Sequence, residues 1–410
     1  MIGVREVTGS NPVVPTIFYQ SLTAATLAAV LVFWQIAALG RSSVSARGRK
    51  RDLWESVMEP EDFQAPGWEA IDKALAPLYA GQEPKHYGTL ISYELGGPDP
   101  LRGISAYKRL EPVPHWHFIT YGFTELFQKE SENKEVSGWG FELTTRLKTE
   151  LDAEEPPVWT LNFLQNLARY VFSTGNVFQN GDYMNANGPI ASETNTLIRS
   201  VAFTHDPELP PIETLNGRVE FLQIVGITDD EELAIKQWKT LKVLEIFKEH
   251  LPLLVTDLDR ASLLEKKSVL EKISAGASTE GSNTSHVFVD QLAWVERKNF
   301  LREPEIDITF GARLVKEIIG LLSHRLPFGK EFGLIGDEFE VTFLHGVENR
   351  YQIAGNSLRL EVTPDTLAEI QAVLKQQEGI YSLSTFSGVV LQVKKTHIKD
   401  HRGKIVETIG

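Results

Sequence analysis

Residues Pro114–Leu126 read PHWHFITYGFTEL, and residues Ser137–Lys148 read SGWGFELTTRLK. Both segments are rich in aromatic and β-branched side chains, a composition typical of β-strands, and Pro or Gly residues mark turns beside them. We predict strands over His115–Tyr121 and Gly138–Lys148. Because aromatic residues alternate with glycines at the start of the second segment, that strand is predicted to pack closely against another backbone.

Further elements surround these two strands in the sequence. Apolar residues at three- and four-residue spacing predict helices, and short β-rich runs between turn residues predict strands. The predicted helices are Trp68–Tyr79, Leu161–Phe172, Asp229–Leu251 and Ser262–Ser274, and the predicted strands are Gly88–Leu95 and Val219–Ile227. The small, polar stretch Ala275–Ser285 (AGASTEGSNTS) predicts a loop.

A second group of elements follows residue 307. These elements are predicted helices at Ala312–Leu322 and Thr366–Gln376 and predicted strands at Phe339–Leu344, Ser357–Val362 and Gly388–Val393. Helices interleave with strands in both groups, which predicts an α+β fold with two mixed-sheet domains. We assign residues 61–285 to the N-terminal domain, 286–307 to a linker that includes Leu301–Asp307, and 308–410 to a smaller C-terminal α+β domain.

The composition excludes several classes of function. The chain has 410 residues, a formal net charge of −14 and no cysteine, so a disulfide framework, a thiolate nucleophile and a Cys-bound metal are all excluded. The acidic balance argues against a general nucleic-acid-binding protein, because phosphate neutralisation needs clustered Lys and Arg. A basic protein partner is electrostatically easier. Walker A, GxGxxG, HExxH and GxSxG motifs are also missing, which weakens the case for an enzyme.

The first 60 residues differ from the rest in charge and hydropathy and are assigned to a leader. Residues 1–51 carry a charge of +5, which leaves −19 on the remainder, and residues 22–40 form an uncharged run long enough to span a bilayer. The basic residues after this run would place the main body in the cytoplasm. Two interpretations stay open: a single-pass membrane anchor, or a start codon assigned upstream of the true one, with residues 1–57 not native and Met58 as the first residue.

The best candidate for a metal site is the pair His115 and His117. Residues two apart on a strand share a face, so both imidazoles could reach one zinc or iron ion, with Asp99 or Glu142 as a further ligand. This pair is the basis for the alternative of a metal-dependent enzyme. The simpler interpretation is a strand entry with one His hydrogen-bonded inside the protein. Asp99 itself lies in the sequence GGPDP, which specifies a rigid turn.

Several motifs occur in a fixed order between about Trp68 and Ser285. Besides the two segments quoted first, they are QEP (Gln82–Pro84), LGGPDPLRGISAY (Leu95–Tyr107), LARYVF (Leu167–Phe172), VEFLQIVGIT (Val219–Thr228), LVTD (Leu254–Asp257) and TEGSNTS (Thr279–Ser285). This series resembles the Suppressor of fused family in its residues and spacing. Beyond Ser285 the resemblance thins to pieces such as FLHG (Phe343–Gly346), and the long insertion of the animal members is missing.

The resemblance implies a non-enzymatic binding protein without a cofactor, in which two domains close around an extended peptide of a protein partner. It implies an interdomain cleft and binding by β-strand addition. Three partner-binding residues are transferred to the first domain, namely Tyr170, Phe178 and Asp182. Three more are transferred to the second domain if a one-residue gap is allowed, namely Glu331, Leu334 and His345. Without the resemblance, Tyr170 and Phe178 are simply core residues.

The partner itself is not specified by the residues. In animals the family binds a Gli-type transcription factor, but the missing insertion and the leader that reads like bacterial coding DNA make such a ligand unexpected here. Bacterial members are associated with immunity against polymorphic toxins, and a charge of −19 on the body agrees with capture of a basic toxin domain. We therefore predict a cytoplasmic binding or immunity protein, with a membrane-tethered adaptor as an alternative if residues 22–40 are translated.

Overall fold

The computed structural model describes residues 64–191, 194–299, 302–399 and 403–410. The predicted leader over residues 1–60, including the candidate membrane span at 22–40 and the candidate start at Met58, lies outside the described residues. Within the described ranges, no helix combines the length and the apolar character needed to cross a bilayer.

The first lobe, residues 66–285, is built on a mixed eight-stranded sheet. Its strands β1 to β8 are Lys85–Gly88, Gly103–Arg109, His115–Tyr121, Val136–Lys148, Tyr183–Asn185, Ile198–His205, Ile212–Thr214 and Gly217–Thr228. The order across the sheet is β1-β2-β3-β4-β8-β6-β5, with β7 paired to β8 beside this path. β4 and β8 run parallel, whereas β3 pairs antiparallel with both β2 and β4. The strands predicted at His115–Tyr121 and Gly138–Lys148 are confirmed as β3 and most of β4.

Helices cover both faces of this sheet because successive strand residues point to opposite sides. The helices are α1 (Pro66–Leu75), α2 (Val158–Thr174), α3 (Asp229–Gln237), α4 (Thr240–Phe247) and α5 (Lys267–Glu280). Phe118 packs in the cluster that includes α2, whereas its neighbour Ile119 packs with α1 on the other face. Similarly, Phe203 faces α2 and Ala202 faces the cluster formed with α3, α4 and α5.

The strand predicted at Gly88–Leu95 is wrong. β1 ends at Gly88, and a short 3₁₀ turn at Tyr93–Leu95 follows, closed by Gly96 in a left-handed conformation (φ +85°). The apolar residues that suggested a strand are exposed, and Leu90 is 98% accessible to solvent. The prediction failed because it relied on hydropathy, whereas these side chains are not buried and so do not stabilise an extended strand here.

The helix predicted over Asp229–Leu251 is interrupted at Trp238, whose backbone is non-helical (φ −132°, ψ −109°). The Trp238 ring lies against Gly276, where an added Cβ would come within 2.2 Å of the indole. Gly276 lies inside α5, so the loop predicted over 275–285 is instead helical as far as Glu280. A contact between distant parts of the chain thus accompanies both departures from the prediction.

In the described residues of the second lobe, 286–299, 302–399 and 403–410, there are three sheets and two α-helices. Strands β9 to β19 are His286–Phe288, Ala293–Asn299, Arg302–Gly311, Phe332–Ile335, Glu340–His345, Arg350–Ala354, Ser357–Val362, Gly379–Ser382, Val389–Lys394, Thr396–Lys399 and Ile405–Ile409, and the helices are α6 (Val315–Arg325) and α7 (Pro364–Val373). The sheet orders are β14-β15-β13-β12-β9, β10-β11-β17-β16 and β18-β19. One apolar core joins the two larger sheets to both helices. The predicted α+β class is confirmed.

The segment predicted as a linker, 286–307, is not a plain connection. It forms β9, β10 and the first part of β11. Val287 and Val289 are buried and alternate with the more accessible His286 and Phe288, as in a strand with one covered face. The elements predicted farther on are present as α6, α7, β13, β15 and β17. The proposed domain boundaries stay a prediction.

Candidate functional site

Two sheet edges meet where the lobes join. β5 is the last strand in the order of the eight-stranded sheet, and β9 is the last strand of the five-stranded sheet. Tyr183, the first residue of β5, has its hydroxyl 3.3 Å from the Oγ1 atom of Thr284, which lies two residues before β9. Both side chains are buried. The edges of two separate sheets are therefore held close to each other at the junction.

The segment just before β9 bonds to both lobes. Ser282 N–H donates to the His324 carbonyl at the end of α6 (2.6 Å), while Asn283 N–H donates to the Trp238 carbonyl of the first lobe (3.0 Å). The Ser282 carbonyl accepts from Arg325 Nη1 (3.0 Å) and from Lys330 Nζ (2.9 Å). These bonds satisfy the backbone of a buried connection and fix the position from which β9 starts.

An ion-pair cluster joins α3 to α6 beside this segment. Lys236 Nζ lies 2.8 Å from Glu232 Oε1 and 3.0 Å from Glu317 Oε1, and it sits 5.7 Å from the centre of the Tyr183 ring. Burial alone would raise the pKa of Glu232, but Lys236 and hydrogen bonds from Ser200 and from an Asn side chain of β5 hold it below its usual value. The cluster thus ties the β5 edge to the helices of both lobes.

Two of the residues transferred from the family, Tyr170 and Phe178, form one aromatic stack. Their ring centres are 5.8 Å apart, and Phe178 stacks in turn on Phe203 at 4.2 Å. Phe178 is only 2% exposed, so it belongs to the core. Tyr170 is half-buried, and its hydroxyl accepts from Asn176 Nδ2 (3.2 Å). Of the two rings, Tyr170 has the accessible surface.

Asp182 immediately precedes β5 and closes a turn. Its carboxylate accepts from Gln179 N–H (2.8 Å), and its own N–H donates to the Gln179 carbonyl (3.0 Å). Gly181 has a φ of +101°, which favours glycine at this position. Asp182 is 4% exposed. The side chain therefore shapes the entry to the edge strand.

The second transferred group lies around β12 and β13. Glu331 directly precedes β12 and His345 ends β13, so the antiparallel pairing puts both exposed residues at the same end of these strands. Leu334 is fully buried in the core of the second lobe. Arg325 Nε donates to the Glu331 carbonyl (2.7 Å) while the same guanidinium reaches Ser282. Asp182, next to Tyr183, and Glu331, bonded to Arg325, are therefore the transferred residues linked to the junction segment, one from each lobe.

The sequence-based prediction missed β9 itself. His286 and Phe288 lie on one side of this edge strand, with ring centres 5.4 Å apart, and Phe288 is 37% exposed. Burial, and to a smaller extent Arg325, lowers the pKa of His286. The alternation of these residues with Val287 and Val289 is the signal that could have found the strand. It was obscured because the preceding stretch looked like a loop.

The His115 and His117 pair is buried and structural. His117 Nδ1 pairs with the Tyr79 hydroxyl (2.5 Å) and its Nε2 with Asp206 Oδ2 (3.2 Å), so both ring nitrogens are occupied. His115 Nδ1 pairs with the carbonyl of Val113 (2.7 Å). Burial, assisted by a nearby Arg, lowers the pKa of His117 to about 4. The interpretation of a hydrogen-bonded internal His is the one that fits this geometry.

The further ligands considered for a metal are also engaged. Asp99 pairs with Arg169. The Glu142 carboxylate accepts from the hydroxyls of Thr120 and Thr124 (2.6 Å each) and from the Gly122 N–H (2.9 Å). Burial raises the pKa of Glu142 to about 7 although these donors favour its charged form. In the described ranges, no group of three or more His, Asp or Glu is arranged to hold a metal ion.

Comparison with known proteins places this geometry in a family context. Residues 97–261 match the sequence model of the family described as Suppressor of fused protein (SUFU). The Suppressor of fused homologs of Homo sapiens and Mus musculus are 34% and 35% identical to the chain, over 258 and 245 residues. These alignments cover 59% and 56% of the chain and 52% and 50% of the relatives. The chain thus spans about half the length of the curated relatives it matches.

The fold extends beyond the matched segment. The crystal structure of Drosophila Suppressor of Fused superposes with a TM-score of 0.68 at 23% sequence identity, and the match covers 82% of this chain and 99% of that chain. At this identity the match establishes a common fold for both lobes and leaves the assignment of individual residues to the geometry.

Proposed function

We propose, given that residues 97–261 match the sequence model of the Suppressor of fused family, that the chain is a non-enzymatic protein-binding module that takes up an extended segment of a partner at the junction of its lobes. The observation that carries the proposal is the meeting of two sheet edges, β5 and β9, held by the Tyr183–Thr284 contact. An added strand gains main-chain hydrogen bonds from an edge, and pockets beside the edge read alternate side chains. The absence of cysteine is in keeping with action in the cytoplasm.

The hydrogen bonds of β9 support strand addition. Its parallel partner is β12. Gly333 N–H of β12 donates to the Ser285 carbonyl (2.9 Å), and Val289 N–H donates to the Ile335 carbonyl of β12 (2.7 Å). Backbone groups alternate in direction along a strand, so those of the intervening Phe288 point away from β12. They face the side on which a partner strand would lie.

The test separates the main chain from the side chain at Phe288. Peptides that bind the purified chain are selected from a displayed random library. Their affinity is then measured by calorimetry for the unsubstituted chain, the Phe288→Pro protein and the Phe288→Ala protein. Phe288→Pro removes an outward N–H and is expected to weaken binding on the order of tenfold, the equivalent of about 1.4 kcal/mol. Phe288→Ala keeps that N–H and is the matched control for the side chain.

Two further variants address the residues transferred from the family. Tyr170→Ala and Asp182→Arg alter the approach to β5, and both are expected to reduce affinity for the selected peptides. Ile353→Ala, on the opposite edge of the β9 sheet, is the control and should leave affinity unchanged. The proposal would be contradicted if the Phe288→Pro, Tyr170→Ala and Asp182→Arg proteins all bound the peptides as tightly as the unsubstituted chain does.

An immunity role toward a basic toxin domain is the narrower form of this proposal. Its support is electrostatic, since the chain carries −14 overall and −19 outside residues 1–51. Complementary charge speeds encounter and makes the association rate sensitive to salt. If the partner is basic, stopped-flow association should slow as ionic strength rises. A rate independent of salt would remove the electrostatic support.

A further inference from the structure

The chain contains three Asn-Gly pairs: Asn180-Gly181, Asn187-Gly188 and Asn216-Gly217. Such pairs are chemically vulnerable because glycine has no side chain to hinder attack of its amide nitrogen on the preceding Asn side chain. The attack needs a glycine nitrogen that is not held elsewhere and an Asn amide that can turn toward it. The structure distinguishes the three pairs by these two requirements.

Two of the pairs are held in place. Gly181 N–H donates to the Phe203 carbonyl (2.9 Å), and Asn180 Oδ1 accepts from His205 N–H (3.2 Å). Asn216 is 4% exposed, and its amide donates to the Glu125 carbonyl (2.7 Å). In each case a hydrogen bond must break before the reacting atoms can meet.

Asn187-Gly188 meets both requirements. Asn187 is exposed, and its side chain makes no hydrogen bond within the described residues; its own N–H donates to Asn185 Oδ1 (2.8 Å). Gly188 N–H has no acceptor within those ranges, and nothing lies within 4 Å of the position its Cβ would take. Asn187 holds a left-handed backbone conformation (φ +55°), so it does not continue the extended strand β5.

We infer that Asn187 is a site of spontaneous deamidation in the folded protein. The Gly188 nitrogen bonds to Asn187 Cγ, the bond from Cγ to the side-chain nitrogen breaks, and ammonia leaves with the displaced proton. Water then opens the cyclic imide to give Asp or isoaspartate. The reaction places a carboxylate two residues after the edge strand β5, next to Asn185, whose amide donates to Glu232 Oε2 (2.7 Å). The inference does not depend on the proposed function.

The test follows the reaction by mass spectrometry. The full chain is incubated folded, at mildly alkaline pH, in ¹⁸O-labelled water, and digested afterwards in ordinary water. The tryptic peptide 170–199 contains both Asn180 and Asn187, and its fragment ions report each site separately. Asn187 is expected to convert on the order of ten times faster than Asn180 or Asn216, because at least one hydrogen bond must break at each of the latter before the attack can occur.

Unfolding supplies the internal control. In concentrated urea the three pairs should convert at similar rates, with the heavy oxygen incorporated at each. Gly188→Ala should slow the reaction at Asn187 without changing the other sites, since it hinders only the local attack. The inference is overturned if Asn187 in the folded chain converts no faster than Asn180 and Asn216, or if its conversion is unaffected by Gly188→Ala.

Discussion

Replacing Asp206 by Asn is expected to lower the free energy of unfolding by about 3 kcal/mol, because it removes one charge of a buried pair and leaves the other. The side chains of Asp206 and Arg146 are both fully buried. Arg146 Nη1 lies 2.7 Å from Asp206 Oδ2 and Nη2 lies 3.0 Å from Oδ1, a two-pronged geometry that only a carboxylate satisfies completely.

The magnitude follows from what remains around Arg146. Breaking a buried pair from one side typically costs ~3–5 kcal/mol. Glu208 still lies 3.0 Å from Arg146 Nη2, and its partly exposed carboxylate can offset some of the charge. Asn also keeps one oxygen for the Thr144 hydroxyl, which donates to Asp206 at 2.7 Å. Both considerations put the expected loss near the lower end of the range.

The assay is urea unfolding followed by circular dichroism and tryptophan fluorescence. Glu361→Gln is the matched control, because Glu361 pairs with the largely exposed Arg350 at 2.7 Å, and water screens such a surface pair, so its loss should cost much less stability than loss of the buried pair. If the Asp206 variant loses no more stability than this control at the same m-value, the buried pair is not a major contributor. Adding Arg146→Met to the Asp206 variant should recover part of the loss.

Two further predictions concern stability. The pKa of His117 is lowered to about 4 in the folded chain, so between pH 4 and the ordinary value near 6.5 the unfolded chain binds the proton more readily. The free energy of unfolding should therefore fall as pH is lowered through this window. Urea titrations at each pH should show a flatter dependence for a His117→Gln protein. Gly276→Ala should lower the free energy of unfolding by about 1–3 kcal/mol, since the added Cβ would overlap the Trp238 ring. Equal urea unfolding midpoints for the Gly276→Ala protein and the unsubstituted chain would contradict that packing.

The sequence predicted the elements whose own residues determine them. β3 and β4 combine a β-rich composition with burial, and both appear where they were predicted. The errors around Trp238 and Gly276 arise where a distant contact decides. Between residue 229 and Trp238 the sequence contains no Pro or Gly that would mark a helix break. The packing of the Trp238 ring on Gly276 explains why a residue without a side chain is present inside α5.

The same distinction applies to the candidate site. The resemblance identifies residue types, but it does not show which side chains are accessible to solvent. In the structure Phe178, Asp182 and Leu334 are almost completely buried. The edge strand β9 carries no family motif, so it could be found only from its pairing with β12. Position in the fold, more than residue identity, separates the groups that can touch a partner.

These burials define how the site would recognise a partner. Tyr170, Glu331 and His345 retain accessible surface, so we expect side-chain contacts to come from them. Phe178 and Leu334 sit beneath the edges and would act by fixing the strands on which a partner segment pairs. Strand addition needs few exposed specific side chains because the main chain supplies most hydrogen bonds. A site of this construction would keep its mode of binding if its partner changed, since specificity would rest on a small number of surface residues beside the edges of β5 and β9.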